Sequence, residues 1–170
     1  MYSLNAPLPP AVWDLTASLR PSLSGFDRVR ETRTQSLVLK RLPATDRREY
    51  IEVERRARDA LRGSPAVEAR ISGIEVFRDP PNGPGPVLYL AVESPGLDRL
   101  HARLVEEFGA IEILEGDDYV PHVTLARGGS KATIESLCDR DIGGLTFTID
   151  ALEFYDGRYR ERIDTISLPA

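Results

Sequence analysis

Apolar residues recur along the chain at two spacings, every second position for strands and every third or fourth for helices. Tyr2–Ala6 predicts an opening strand, stopped by Pro7, Pro9 and Pro10. A helix over about 11–19 follows, with Val12, Leu15 and Leu19 inward and Pro21 ending it. Residues 22–33 are polar and predict a loop, and 35–42 a strand rich in Leu and Val. Asp46 with Glu49 predicts a capping box opening a helix whose inner face is Tyr50, Val53, Ala57 and Leu61. Val67–Phe77 alternates as a strand, with Gly73 as a bulge or bend. The Pro/Gly-rich stretch 78–86 is a turn, and 87–92 is the returning strand. Ser94-Pro95 then caps a helix carrying Leu97, Leu100, Leu104 and Phe108 inward, and Gly109 ends it. A strand over 119–127 is entered through Pro121. It precedes Gly128-Gly129-Ser130 and a short helix with Ile134, Leu137 and Cys138. The last strands are predicted over 145–155 and 163–168.

Interleaved helices and strands, with hairpin-connected strands late in each half, predict an α+β fold with antiparallel or mixed sheets. The two halves also resemble each other. Thr34-Gln35-Ser36-Leu37 holds the place in the first half that His122-Val123-Thr124-Leu125 holds in the second, and residues 71–77 resemble 149–155. Such duplication predicts two pseudo-symmetric lobes, about 1–86 and 87–170, with strands free to exchange between them.

Composition narrows the function. The net charge of −5 argues against coating of long nucleic acid, an affinity that comes from neutralising phosphates, but permits a local positive groove. Only Lys40 and Lys131 are lysines among 22 basic residues, a pattern compatible with a GC-rich or salt-adapted source. A lone cysteine, Cys138, forms no internal disulfide and no cysteine-based metal cluster. With no apolar run of membrane-spanning length and no secretory leader in the first ten residues, a soluble cytoplasmic protein is expected, and a monomer.

The chemistry centres on 119–127, which holds one of only two histidines. Alternation puts His122, Thr124 and Ala126 on one face of the strand, so an imidazole and a hydroxyl project side by side. An isolated H-x-T is commonly an ordinary solvent-facing strand. Taken with the matching strand at 34–42 and the Leu-Glu-Phe-Tyr strand ending the second half, Pro-His-Val-Thr-Leu-Ala-Arg at 121–127 resembles the two-histidine phosphoesterase superfamily, which includes the 2′-5′ RNA ligase-like proteins and RNA 2′,3′-cyclic phosphodiesterases. The resemblance implies a bilobal α+β fold whose lobes each supply one H-x-T strand to a central groove. It also implies that two histidines act as general base and acid on a phosphodiester of an RNA terminus or a small cyclic or 2′-5′-linked nucleotide. No metal or other cofactor is implied.

The first motif departs from that pattern. Thr34 is matched to the first histidine and Ser36 to the first threonine, with Gln35 as the histidine's match in an alternative register. Thr34, Ser36, Val38 and Lys40 are then expected to line the groove. His122, Thr124, Ser36 and Thr34 form the expected catalytic set, and Lys40 and Tyr155 the expected substrate contacts. His101, flanking its helix's apolar stripe, is expected half-packed and half-solvated. Arg127 has the opposite parity from His122 and is expected at the strand edge or in an ion pair. Tyr89, Tyr119 and Tyr155 could stack a base, with core or rim packing as the plainer reading. The arginines at 47–48 and 55–56 lie among glutamates and predict a solvated, ion-paired face. The expected outcome is a phosphodiesterase of RNA ends or small nucleotides with an impaired site; the alternative is a binding module on the same fold.

Overall fold

The computed structural model describes residues 1–170. Nine strands and four α-helices form two sheets, and every strand pair is antiparallel. The strands are β1 (Tyr2–Ala6), β2 (Arg28–Val29), β3 (Leu37–Leu42), β4 (Val67–Phe77), β5 (Val87–Glu93), β6 (His122–Arg127), β7 (Leu145–Ile149), β8 (Ala151–Asp156) and β9 (Glu161–Ser167). The helices are α1 (Pro10–Leu19), α2 (Arg47–Leu61), α3 (Pro95–Phe108) and α4 (Lys131–Cys138). One sheet runs β3-β1-β8-β9 and the other β2-β6-β5-β4-β7.

Local chemistry opens and closes these elements as the sequence predicts. Asp46 accepts a hydrogen bond from the Glu49 amide at 2.9 Å, and Ser94 accepts one from the Leu97 amide at 3.1 Å, each satisfying a first-turn donor. The Glu49 carboxylate reaches back to the Thr45 amide and hydroxyl, one residue before the cap. Tyr50 of α2 stacks on Tyr2 and meets Phe154 edge-on, so α2 packs on the first sheet. Helix α3 touches β3 and β4, bridging the sheets, and α4 covers β4. The apolar faces merge into one continuous core.

Three expectations are corrected. The stretch 145–155 is two strands, broken at Asp150, that enter different sheets: β7 pairs with β4 and β8 with β1. The strand at 119–127 begins only at His122, because residues 116–118 form a 3-10 turn and Pro121 has no amide to give a ladder. The strand at 35–42 begins at Leu37, and Thr34 lies in a 3-10 turn of residues 32–34.

Both halves of the chain contribute to both sheets, since β8 and β9 join β1 and β3 while β4 joins β5, β6 and β7. The order β3-β1-β8 is the counterpart of β6-β5-β4. The stretches 71–77 and 149–155 resemble each other in sequence, and β4 and β8 hold matching places. Gly73 follows the extra residue of a bulge, as Ile71 faces Val92 and Gly73 faces Ala91.

Candidate functional site

A groove with a cavity of about 230 Å³ lies between the sheets, with β3 on one side and β6 on the other. Ser36, Val38 and Arg41 come from the β3 side, and His122, Thr124 and Arg127 from β6. The loops 78–86 and 109–121 complete it with Pro80, Pro81, Asn82, Ile113, Asp118 and Tyr119.

Matching irregularities in the two strands decide which side chains enter. On β3, Lys40 faces Leu4 and Val38 faces Asn5, so Leu39 is an extra residue. On β6, Ala126 faces Leu88 and Thr124 faces Tyr89, so Leu125 is extra. Each bulge shifts the facing parity by one. Arg41 and Arg127, which strict alternation would turn away, therefore join the groove. The bulges also set the correspondence between the strands: Ser36 matches His122, Val38 matches Thr124, and Arg41 matches Arg127. The register expected from sequence, with Thr34 opposite His122, is thus two residues out.

His122 is half-buried. Its Nδ1 lies 2.6 Å from the Val120 carbonyl oxygen, which can only accept, so Nδ1 carries the proton and Nε2 the lone pair. Phe77 and Tyr89 meet the ring edge-on at 5.2 and 5.4 Å, and stack on each other at 4.0 Å. Tyr89 donates to Glu75 at 3.1 Å and is thereby fixed as a support for the imidazole. Burial holds the His122 pKa below the ordinary histidine value, opposed by the Val120 hydrogen bond and aided by the Arg41 and Arg127 guanidiniums. Arg127 itself donates through Nη1 to the carbonyls of Asn82 and Pro84, both at 2.9 Å, tying the 78–86 loop to the groove.

The structure brings His122, Thr124 and Ser36 together in the groove and leaves three of the expected residues outside its lining. Thr34 is exposed and donates to the Glu31 carbonyl at 2.9 Å. Lys40 is 2% exposed and pairs with Glu115 at 2.6 Å, because the bulge at Leu39 turns it inward. Tyr155 lies half-buried on β8, in the sheet interior beyond β1. Gln35 is also outside the lining, its Oε1 buried without a hydrogen-bond partner.

His101 is fully buried rather than half-solvated. Its Nδ1–H donates to the Leu39 carbonyl at 2.8 Å and its Nε2 accepts from the Gly116 amide at 2.9 Å, which fixes the neutral tautomer. Its ring stacks on Tyr119 at 3.8 Å, and the Tyr119 hydroxyl donates to the Val38 carbonyl at 3.0 Å. Burial lowers its pKa. Glu115 accepts from Lys40, from the Arg41 amide at 2.9 Å and from the Ile111 amide at 3.0 Å. Burial pushes its carboxyl up, but these donors outweigh burial and hold it below its ordinary value. The cluster Lys40–Glu115–His101 therefore clamps the 109–121 loop to the bulge of β3. Gly128 and Gly129 close β6 with positive φ and pack against Asp27 and Phe26, where a side chain would clash, so both positions require glycine for a tight exit from the strand.

A family model described as the 2′-5′ RNA ligase superfamily matches residues 22–159. The chain belongs to this superfamily. Among solved structures, TT0787 of Thermus thermophilus is similar with a TM-score of 0.69 at 18% identity, over 98% of this chain and 97% of that one. LigT of E. coli, solved as a complex with 3′-AMP, gives 0.67 at 15% identity, over 98% and 96%. A structure described as a phosphoesterase gives 0.65 at 14%, over 98% and 97%. LigT has also been solved with ATP, phosphate and NADP+. At these identities the likeness carries the fold. No curated protein sequence matches the chain. Within this 2′-5′ RNA ligase superfamily member, sequence reading missed Arg30, Arg41 and the aromatic support of His122. Only the bulges bring Arg41 in, whereas Phe77 and Tyr89 sit in strands recognised as such. No helix is long and apolar enough to cross a membrane.

Proposed function

We propose that the groove binds the phosphodiester of an RNA terminus or a small cyclic or 2′-5′-linked nucleotide and hydrolyses it without a metal, with His122 as the single proton-transfer side chain. The observation that carries this reading is the tautomer of His122. Val120 holds the proton on Nδ1, so Nε2 can take one from water. Thr124 and Arg127 supply donors for the equatorial phosphate oxygens as charge builds on them. The departing ribose oxygen takes its proton from solvent water on the β3 side, because the residue matching His122 there is Ser36. A serine hydroxyl is a poor acid near neutral pH, so turnover is expected about 10²- to 10⁴-fold below that of a two-histidine site.

A second reading, a module that binds such phosphates without turning them over, is favoured by the pair Ser36 and Val38, which removes both the acid and one hydroxyl from the β3 side. The two readings part on incubation of pure protein with a nucleoside 2′,3′-cyclic phosphate and with RNA bearing that terminus. Slow turnover that drops at least about 10²-fold in His122→Ala supports the enzyme. Binding by calorimetry without turnover supports the module. Turnover indifferent to His122→Ala removes the enzymatic reading.

A further inference from the structure

The groove holds more positive charge than one phosphodiester requires. Arg30, Arg41 and Arg127 line it against a single carboxylate, Asp118, in a chain whose net charge is −5. A cyclic or 2′-5′ phosphodiester carries one negative charge, whereas a phosphate monoester carries about −1.5 to −2 near pH 7. The arginines also differ in how they are held. Arg127 is pinned by two loop carbonyls beside Thr124. Arg41 stands on the opposite strand, half-buried, and its guanidinium enters no ion pair and no hydrogen bond with the protein. The nearest buried acid, Glu115, takes the Arg41 backbone amide but pairs its charge with Lys40. Keeping Lys40 on Glu115 leaves the half-buried guanidinium of Arg41 without a protein partner, so its donors are open to an anion from solution. Val38, matching Thr124, makes this side apolar apart from Arg41 and Ser36, so it is built to hold charge more than to move protons.

We propose that Arg41 forms a second anion subsite, facing the His122–Thr124–Arg127 side, and that the ligand is a nucleotide carrying a terminal phosphate monoester in addition to its cyclic or 2′-5′ phosphodiester. This rests on the reading that the β6 side holds the diester. The Arg41 guanidinium offers a planar fork of donors suited to two oxygens of a monoester.

The test is calorimetric titration with adenosine 2′,3′-cyclic phosphate and with its 5′-phosphorylated counterpart, at one ionic strength. The 5′-phosphorylated ligand is expected to bind about tenfold or more tightly, the size of one charge-assisted hydrogen bond. Arg41→Gln should bring the ratio of the two affinities close to one, and Arg41→Lys should keep part of it. Equal affinities in the unaltered protein, or a preference that survives Arg41→Gln, overturns the second subsite while leaving the diester reading intact. If neither ligand binds, the diester reading falls and the second subsite falls with it.

Discussion

His122 can serve a phosphate because its other nitrogen is already spent. The 2.6 Å contact to Val120 fixes the proton on Nδ1. Burial and two guanidiniums then disfavour a second proton. A base active as neutral imidazole, with a lowered pKa, keeps its activity at and above the ordinary histidine value of about 6.5 and loses it only as pH falls through the lowered value. The acid limb of kcat/KM should therefore lie below that of a free imidazole, and Arg41→Gln should move it upward. A limb at or above the free value would contradict this account. The strand correspondence yields a gain-of-function prediction. Ser36→His, placing an imidazole opposite His122, should raise turnover by about 10²-fold, whereas Thr34→His should leave the rate of cyclic phosphate hydrolysis unchanged. The reverse outcome would restore the register expected from sequence alone. His122 and Thr124 were legible as neighbours because alternation within β6 holds between them. Thr34 was misplaced because its 3-10 turn depends on the Glu31 carbonyl, which no strand pattern announces.

At the scale of elements, a single extra residue in β3 and another in β6 decide which charges face the groove. Continuing strict alternation past Leu39 puts Lys40 in the groove and leaves Arg41 outside; the bulge does the opposite. Lys40 then becomes half of a buried ion pair whose acid also clamps two backbone amides of different segments. Removing one member of such a pair strands the other charge. Lys40→Met is expected to cost about 3–5 kcal/mol, read as a lowered urea midpoint. Loosening of the 109–121 loop should accompany it, since Glu115 then holds the Ile111 and Arg41 amides with an unpaired carboxylate. An unfolding free energy within about 0.5 kcal/mol of the unaltered protein would show that water reaches the pair. Helix boundaries at α2 and α3, by contrast, were readable in advance, because Asp46 and Ser94 cap from within their own sequence neighbourhoods.

For the whole molecule, the exchange of strands between halves is the governing feature. Cut between Pro86 and Val87, the first fragment keeps β1 and β3 without β8, and leaves β4 with no partner strand. The second keeps β8 and β9 without β1. Each would expose sheet edges and apolar faces that the intact chain covers. Fragments 1–86 and 87–170 are expected to be unfolded separately by circular dichroism and to recover β structure when mixed. A cooperatively folded single fragment would contradict the exchange.

What is local was legible along the chain: the caps at Asp46 and Ser94, the helix faces, the strand at His122 with its hydroxyl neighbour, and the similarity of 71–77 to 149–155. These depend on spacing within a few residues, where side-chain geometry is set by the backbone period alone. Contacts between distant segments settle which strand joins which sheet, where each ladder takes an extra residue, and hence that Arg41 enters the groove and Lys40 does not. A bulge is a property of two paired strands, and a groove is a property of two sheets, so neither is written in one segment's pattern.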